Sequence, residues 1–401
     1  MRSKWRDAQL GDVCEITSSK RIFAKEYRSV GIPFYRGKEI IEKQKGSPVS
    51  TELYIEPARY DELSKKHGAP QPGDILLTSV GTLGVPYVVQ KNEKFYFKDG
   101  NLTWFRNFID ADSLYIYYWL LSPWGRTQID TKCIGSTQKA LTIETLLRFD
   151  ILLPPFPEQH AIAATLSCLD DKIELNNKIN ANLEAQAQAI FKSWFVDFEP
   201  FQDGEFVDSE LGLIPKGWRV GALSEIADIT MGQSPSGKSY NEDSEGIVFY
   251  QGRAEFGWRF PTIRLYTTEP KRMAKENDIL MSIRAPVGDI NIATEDCCIG
   301  RGLAAVHSKA GMQSYILYLL MNLQPQFDAY NGEGTVFGSI NQKAFNTMKT
   351  IIPSEEAIKD YEAVCNVFDT QIRALCDQNR TLATLRDTLL PKLMSGEIEV
   401  H

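Results

Sequence analysis

EQHAIAATLSCLDDKIELNNKINANLEAQAQAIFKSWF, residues 158–195, contains neither proline nor glycine. A run of 38 residues without a breaker, entered through LLPPFP with its last proline suited to a first helical position, predicts one long helix. At ~1.5 Å per residue it would measure roughly 57 Å. Its apolar side chains keep three-four spacing through Ile162, Leu166, Leu169, Ile173, Leu183, Ala187, Ile190 and Trp194, with Asn176 and Asn180 set into the same stripe. A stripe this narrow, flanked by polar residues, is best buried against one other helix.

The other helix is in the same chain. Residues from about 354 to 394 are again free of breakers, apart from Pro391 near the end. A shift of 199 positions turns the first stripe into Tyr361, Cys365, Phe368, Ile372, Leu375, Asn379, Leu382, Arg386, Leu389 and Leu393. That offset holds from Gly135 and Gly334 onward, through Pro154 and Pro353, Asp170 and Asp369, and Ile173 and Ile372. Upstream the spacing drifts but the landmarks keep their order. Trp5-Arg6 with LGDVCEIT answers Trp218-Arg219 with LSEIADIT, IPFYRGKE (32–39) answers IVFYQGRA (247–254), GDILLTSVGTLG (73–84) answers NDILMSIRAPVG (277–288), and YIYYWLL (115–121) answers YILYLLM (315–321). The chain is a diverged duplication.

Each copy opens with ~150 residues of short β-branched and aromatic runs, broken by Gly/Pro turns such as QPGD. The expected fold is α+β: two pseudo-symmetric, strand-rich α/β globular domains joined by two long helices that form an antiparallel coiled coil. The boundaries fall at 1–155 for the first domain, 156–198 for the first long helix, 199–217 for a connector, 218–352 for the second domain and 353–401 for the second helix. The core seam is Leu166, Leu169, Ile173, Asn180 and Leu183 against Phe368, Ile372, Leu375, Asn379 and Leu382. With antiparallel helices about a pseudo-two-fold axis, Asn180 and Asn379 would face each other near its centre, where a polar pair costs stability and fixes register. The alternative is that each helix packs only on its own domain.

Composition bounds the rest. With 401 residues, 43% apolar and 24% charged, the chain is an ordinary folded one, with room for two or three domains. No apolar run reaches the ~20 residues of a membrane span and MRSKWRDAQ is no signal segment, so the expected location is the cytoplasm. Seven cysteines without a C-x-x-C pair point to buried thiols, with no zinc site and no disulfide framework. The net charge of -8 is segregated: residues 1–150 carry 22 Lys/Arg against 18 Asp/Glu, whereas residues 151–215 carry 3 against 11 and residues 351–401 carry 5 against 9. The acid lies on the long helices and the connector, which leaves the globular domains free to meet DNA.

No catalytic constellation emerges. GQSPSGKS, residues 232–239, matches the phosphate-loop pattern G-x-x-x-x-G-K-[ST], yet YNEDSEG follows it with no apolar period and three carboxylates where phosphates would sit. LPPF (153–156) has leucine where an amino-methyltransferase motif needs asparagine, and Glu269-Pro270-Lys271 lacks the upstream Asp of a metal-dependent nuclease. The expectation is a non-catalytic chain with no metal site.

LPPFPEQHAIAATLSCLDDKIELNNKI at the first helix entrance, LLPKLMSGEIEV at the second helix end, and MGQSP at 231–235 resemble the specificity subunit of type I restriction-modification enzymes over essentially the whole chain. The resemblance implies two target recognition domains, each reading one half of a split, asymmetric site in double-stranded DNA. It implies that the helices set the spacing of the halves and dock methyltransferase subunits. S-adenosylmethionine would then come with those partners, which methylate adenine, and ATP and magnesium with a separate motor/endonuclease subunit; this chain would hold no cofactor. Glu158 and Gln159 are the expected docking residues, and because IPSEEAIKDYEAV lacks that pair, the two docking contacts are expected to be unequal.

Arg and Lys pair with guanine edges and Gln or Asn with adenine, so basic and amide side chains in Gly/Ser-rich loops are the candidate DNA contacts. They are Lys20, Arg21, Arg36, Lys38, Ser136, Gln138 and Lys139 in the first copy, and Lys238, Gln251, Arg253, Arg259, Arg284, Arg301 and Ser339 in the second. Three rivals remain open at this level: a two-lobed scaffold without nucleic acid, an ATP-hydrolysing protein using 232–239, and the specificity subunit of a related fused modification system.

Overall fold

The computed structural model describes residues 5–133, 139–331 and 338–400. It divides into two compact units, Met1–Asn177 with Asp377–His401, and Lys178–Cys376. The division cuts both long helices, Phe156–Phe195 and Glu355–Met394, near their middles. Each unit is therefore one globular domain with the adjoining half of its own helix and the far half of the other. The reading in which each helix packs only on its own domain is excluded.

In the first unit, Glu15–Thr17, Leu102–Arg106, Ile75–Thr78 and Pro86–Val88 form a four-stranded antiparallel sheet in that order. ILLT at 75–78 is buried at all four positions, as a continuous apolar run in a strand covered on both faces should be. A second sheet orders Tyr54–Ile55, Ile32–Tyr35 and Tyr96–Phe97, the last two parallel. A two-stranded ribbon, Arg6–Gln9 with Asp150–Leu153, leads into the first long helix. The helix Ser113–Leu121 is apolar almost all round and is accordingly central. Its Tyr115, Ile116 and Trp119 pack with Phe105, Phe149, Ile162 and Leu166, and with Leu390, Leu393 and Met394 of the second long helix. Leu166 is completely buried, so truncation to alanine would cost about 2–5 kcal/mol.

The second unit repeats the plan with additions. Ala227–Met231, Leu303–Ser308, Ile279–Ser282 and Ile290–Ile292 make the four-stranded sheet. The second sheet grows to five strands, in the order Tyr240–Asn241, Leu265–Thr267, Ile247–Tyr250, Cys297–Ile299 and Met273–Ala274. Arg219–Ala222 pairs with Lys349–Ile352 as the matching ribbon, and the connector folds as a hairpin, Phe206–Ser209 with Gly212–Pro215. Its core is aromatic: Phe191 and Phe195 of the first long helix meet Tyr315, Trp218 and Tyr361.

The helices pair antiparallel in both units. In the first, Asn176 Nδ2 donates to Gln378 Oε1 (2.7 Å) and Asn379 Oδ1 (2.8 Å), Asn379 Nδ2 donates to Asn177 Oδ1 (2.8 Å), and farther along Arg386 Nη1 meets Asp170 Oδ1 at 2.6 Å. One number falls as the other rises. In the second, Asn180 Nδ2 approaches Cys376 Sγ at 3.4 Å and the Tyr361 hydroxyl donates to the Ala187 carbonyl at 3.1 Å. Every position of the two sequence stripes is buried or half-buried, Leu169, Ile173, Leu183, Phe368 and Leu382 being among the half-buried ones and Ile372 and Leu375 among the buried. The architecture is the α+β arrangement with an antiparallel coiled coil.

One detail of the seam is different. Asn180 and Asn379 do not serve as each other's partner, because the register sets Asn379 against Asn176 and Asn177 and sets Asn180 against Cys376. The copies differ at the facing positions. The first carries Asn176 and Asn177 where the second carries Leu375 and Cys376, so one of the equivalent asparagines finds amides and the other a thiol. The seven cysteines are free thiols, with Cys14, Cys297, Cys298 and Cys365 buried and Cys168 exposed on a helix. Burial pushes the Cys14 and Cys297 thiols up to about 12.

Candidate nucleic-acid interface

The candidate contact residues converge because short strands end at the same edge of each domain and their loops bond to one another. In the first domain the loop after Glu15–Thr17 is fixed by Ser19 Oγ to the Phe97 carbonyl (2.6 Å) and by Lys20 N to the Tyr96 hydroxyl (3.0 Å), while Arg21 Nε pairs with Asp99 at 2.9 Å. Lys98 N donates to the Tyr35 carbonyl (2.8 Å), which draws in Arg36 and Lys38; these are not loop residues as expected, because Arg36 is the N-cap of the helix Gly37–Gln44 and Lys38 lies in its first turn. Ser79 N donates to Asn101 O (2.8 Å) and Leu141 N to Ser79 O (3.0 Å), which brings Lys139 alongside. Lys20, Arg21, Lys38 and Lys139 are exposed and Arg36 is half-buried. Ser136 and Gln138 lie outside the described residues.

Three of these backbone ties recur in the second domain, and the loop that Ser19 Oγ fixes in the first is held here through a main-chain N–H. Gln233 N donates to Ile299 O (3.0 Å), Gly300 N to Tyr250 O (2.8 Å), Ile283 N to Gly302 O (3.0 Å) and Ile340 N to Ile283 O (3.1 Å). The loops approach so closely that a Cβ on Gly232 would stand 2.2 Å from the Gly300 carbonyl oxygen, so only glycine fits there. Gathered on this edge are the exposed Gln251, Arg253, Arg284, Arg301 and Ser339, the last bridged to Arg284 by backbone pairing. Arg253 Nε is held by Asp289 at 2.7 Å, and Arg301 N donates to Ser234 Oγ at 3.2 Å.

The GQSPSGKS segment belongs to this edge too. Its strand, Ala227–Met231, is present, but Gly237–Ser239 makes a single 3-10 turn that runs into strand Tyr240–Asn241. Without a helix there is no row of free N–H groups and no dipole for phosphates. Ser239 Oγ bonds Ser236 O (2.7 Å) and Thr267 Oγ1 (2.8 Å), and Lys238 points outward as an exposed loop cation. Among the described residues no three His, Cys, Asp or Glu side chains gather as a metal site, and no helix is long and apolar enough to cross a membrane.

What these two edges share is a scaffold of three matching backbone ties under different side chains, and comparison with known proteins says what that scaffold is. The model of the type I restriction modification DNA specificity domain matches residues 2–185 and again residues 215–373. The chain belongs to the type I restriction-modification DNA specificity family. A Methanocaldococcus jannaschii protein assigned to the MjaX type I restriction enzyme as its specificity subunit is 30% identical over 406 residues, covering 99% of this chain and 94% of the relative. The MjaIX specificity subunit of the same organism is 28% identical over 427 residues, at 99% and 94% coverage. The crystal structure of the S subunit of a type I restriction-modification system from M. genitalium shares the fold, with a TM-score of 0.59 at 17% identity over 97% of this chain and 96% of that one.

Within this specificity chain two of the expected site residues have other work. Arg259 is only 2% exposed. Its Nη1 meets Glu184 of the first long helix at 2.9 Å, and its Nη2 bonds the Tyr318 hydroxyl (2.9 Å) and Asp369 of the second long helix. A guanidinium enclosed by two carboxylates and a phenol ties the domain to the helices and has no face left for a base. Gln159 is likewise fully buried: its Oε1 accepts from Asp112 N (2.9 Å) and its Nε2 donates to Asp110 O (3.0 Å) and Pro154 O (2.9 Å). It fastens the helix entrance to its own domain and is no docking contact. Glu158 beside it is half-buried.

Sequence reasoning passed over Lys98, Asn101, Gln233 and Ser234, which line the same edges. Gln233 and Ser234 had a signal in the paired landmarks, since they lie just past LSEIADIT, whereas Lys98 and Asn101 lie between Tyr96–Phe97 and Leu102–Arg106, which no paired landmark marks. Glu39 was also missed. It is fully buried, and although burial pushes its carboxyl up, hydrogen bonds from Arg36 side chain and backbone outweigh this and hold it below the usual carboxylate range.

Proposed function

We propose that this specificity chain reads a split, asymmetric DNA site, with the recognition domain of residues 1–155 taking one half and that of residues 218–352 the other. The observation that carries this reading is the pair of loop edges: matching backbone ties present Lys20, Arg21, Arg36, Lys38 and Lys139 in one domain and Lys238, Gln251, Arg253, Arg284, Arg301 and Ser339 in the other. Equivalent scaffolds with unlike side chains suit unlike half-sites, because direct readout depends on the donor and acceptor pattern of each base edge. The long helices of 156–198 and 353–401 serve as spacers and dock the methyltransferase subunits. Those partners bring S-adenosylmethionine and methylate adenine, an ATP- and magnesium-dependent motor subunit cuts unmodified DNA, and the assembly works in the cytoplasm. This chain contributes recognition without catalysis or a cofactor of its own.

Mapping methylated adenines in cells that carry this chain with its partner subunits tests the reading. The expected map shows two short specified segments separated by unread bases, and exchange of one recognition domain for that of another specificity chain should change one segment only. A single uninterrupted motif, or methylation without sequence preference, would overturn it.

A further inference from the structure

Each recognition domain holds a buried carboxylate beside the loop that leaves its parallel-paired strand. In the first it is Glu39, in the second Glu255, with side chains 0% and 2% exposed. Both accept the backbone N–H three residues earlier, from Arg36 at 2.7 Å and from Gly252 at 3.4 Å. A carboxylate taken out of water requires a cation at hydrogen-bond distance. The two domains supply it from different places. Arg36 Nη2 meets Glu39 at 2.7 Å from the N-cap of the helix Gly37–Gln44 that carries Glu39, whereas Arg264 Nη2 meets Glu255 at 2.8 Å from the far side of its loop.

Arg264 directly precedes the strand Leu265–Thr267, whose Leu265 pairs with Phe249. It therefore stands across from the Tyr250 end of its neighbour, where Gln251 begins the loop that closes on Gly300 and Gly302. One nitrogen is anchored on a buried acid while 56% of the side chain is open to solvent. Arg253 on the same edge has a looser hold, because its partner Asp289 is itself 38% exposed.

We propose that Arg264 is a specificity-determining residue of the second domain, oriented by Glu255 to donate to the O6 and N7 acceptors of a guanine in the major groove. The proposal rests on the DNA-reading role given above. A phosphate contact needs charge and tolerates a swinging side chain, while bidentate contact with a base edge needs a planar donor pair held in one orientation. An anchoring carboxylate that is itself immobile supplies that orientation.

The test uses the complex assembled with its methyltransferase subunits, binding a randomised duplex library at fixed salt, for wild type, Arg264→Ala, Arg264→Lys and Glu255→Gln. Arg264→Ala is expected to lose roughly 5- to 150-fold of its preference at one guanine of one half-site and to keep the preferences elsewhere. Arg264→Lys keeps the charge against Glu255 without the planar fork, so its binding to non-specific duplex should be unchanged while the same guanine preference is weakened. Glu255→Gln should relax that position in part. An unaltered profile in both arginine variants overturns the proposal. So does an even weakening over all sequences with a shallower salt dependence, which marks a phosphate contact. A wild-type complex with no sequence preference removes the DNA-reading role, and this inference with it.

Discussion

The two units fasten a recognition domain to the helices with the same acid and the same phenol, and differ in who brings the cation. In the first, Asp170 accepts from the Tyr118 hydroxyl (2.7 Å) and pairs with Arg386 of the opposite helix (2.6 Å), a side chain 30% exposed. In the second, Asp369 accepts from the Tyr318 hydroxyl (2.8 Å) and pairs with Arg259 of the domain, 2% exposed and also bonded to Glu184. The duplication has kept the ion pair and moved its source. A partly wet pair contributes at most about 1 kcal/mol, but breaking an enclosed one leaves charges buried without a partner. Arg259→Met should therefore cost the second unit about 3–5 kcal/mol, and Arg386→Met should cost the first about 1 kcal/mol or less, by denaturant unfolding. Equal losses would break the comparison.

The helix seam differs in the same manner. Asn176 gives both N–H bonds to Gln378 and Asn379, whereas Asn180 makes one long contact to Cys376; the Oδ1 of each is buried without a hydrogen bond, so the difference lies in the donors. Removing a donor strands its acceptors at about 1–3 kcal/mol, while removing a poorly satisfied polar group is close to neutral or favourable. Asn176→Leu should then destabilise by about 1–3 kcal/mol, and Asn180→Leu should leave the melting temperature unchanged or raised. If Asn180→Leu is the more damaging, its thiol contact matters more than its geometry suggests.

These features show what the sequence could and could not disclose. The helices and the seam were legible because a three-four stripe is a local pattern, and the duplication exposed its partner. The loop edges were legible as well, because residue type and turn chemistry are local. Arg259 was not: in WRF it reads as a loop cation, and only tertiary folding brings Glu184 and Asp369, 75 and 110 positions away, around it. Gln159 was misread for the same reason. Its partners Asp110 and Asp112 lie 49 and 47 positions upstream, so a side chain that closes a helix entrance looked like an exposed docking residue. The register of Asn379 turned on one helical step that the stripe alone does not fix.

A third difference is smaller and concerns a helix cap. In the first unit Asp112 sits at the N-cap of Ser113–Leu121 and its Oδ1 accepts from Leu114 N (2.8 Å) and Tyr115 N (3.2 Å). The matching helix, Gln313–Asn322, has Met312 at its N-cap, which cannot accept. Glu362 of the second long helix reaches over to take Ser314 N (3.1 Å) and Tyr315 N (2.9 Å) instead. Glu362→Ala should cost about 0.5–2 kcal/mol, and adding Met312→Asp should restore much of it by returning the cap to its place in the first unit. A double variant no more stable than Glu362→Ala would mean that the two carboxylates are not interchangeable.

The borrowed cap also carries a pH signature. Burial raises the Glu362 carboxyl above its ordinary value of 4.5, outweighing the two backbone N–H groups that favour the charged form. A group that holds its proton more tightly when folded contributes stability that is fully present below the unfolded pKa and is lost as pH rises through the folded one. Glu362→Gln keeps one acceptor oxygen at the helix end, gives up the other at a cost that does not vary with pH, and removes the titration. The stability of wild type relative to Glu362→Gln should therefore fall as pH climbs from about 4.5 through the raised value, then level off. Unfolding curves of the two proteins across that window read the difference directly. A gap that stays constant, or widens toward neutral pH, would mean that the helix terminus stabilises the ionised carboxylate more than burial penalises it, and the borrowed cap would then be the stronger of the two.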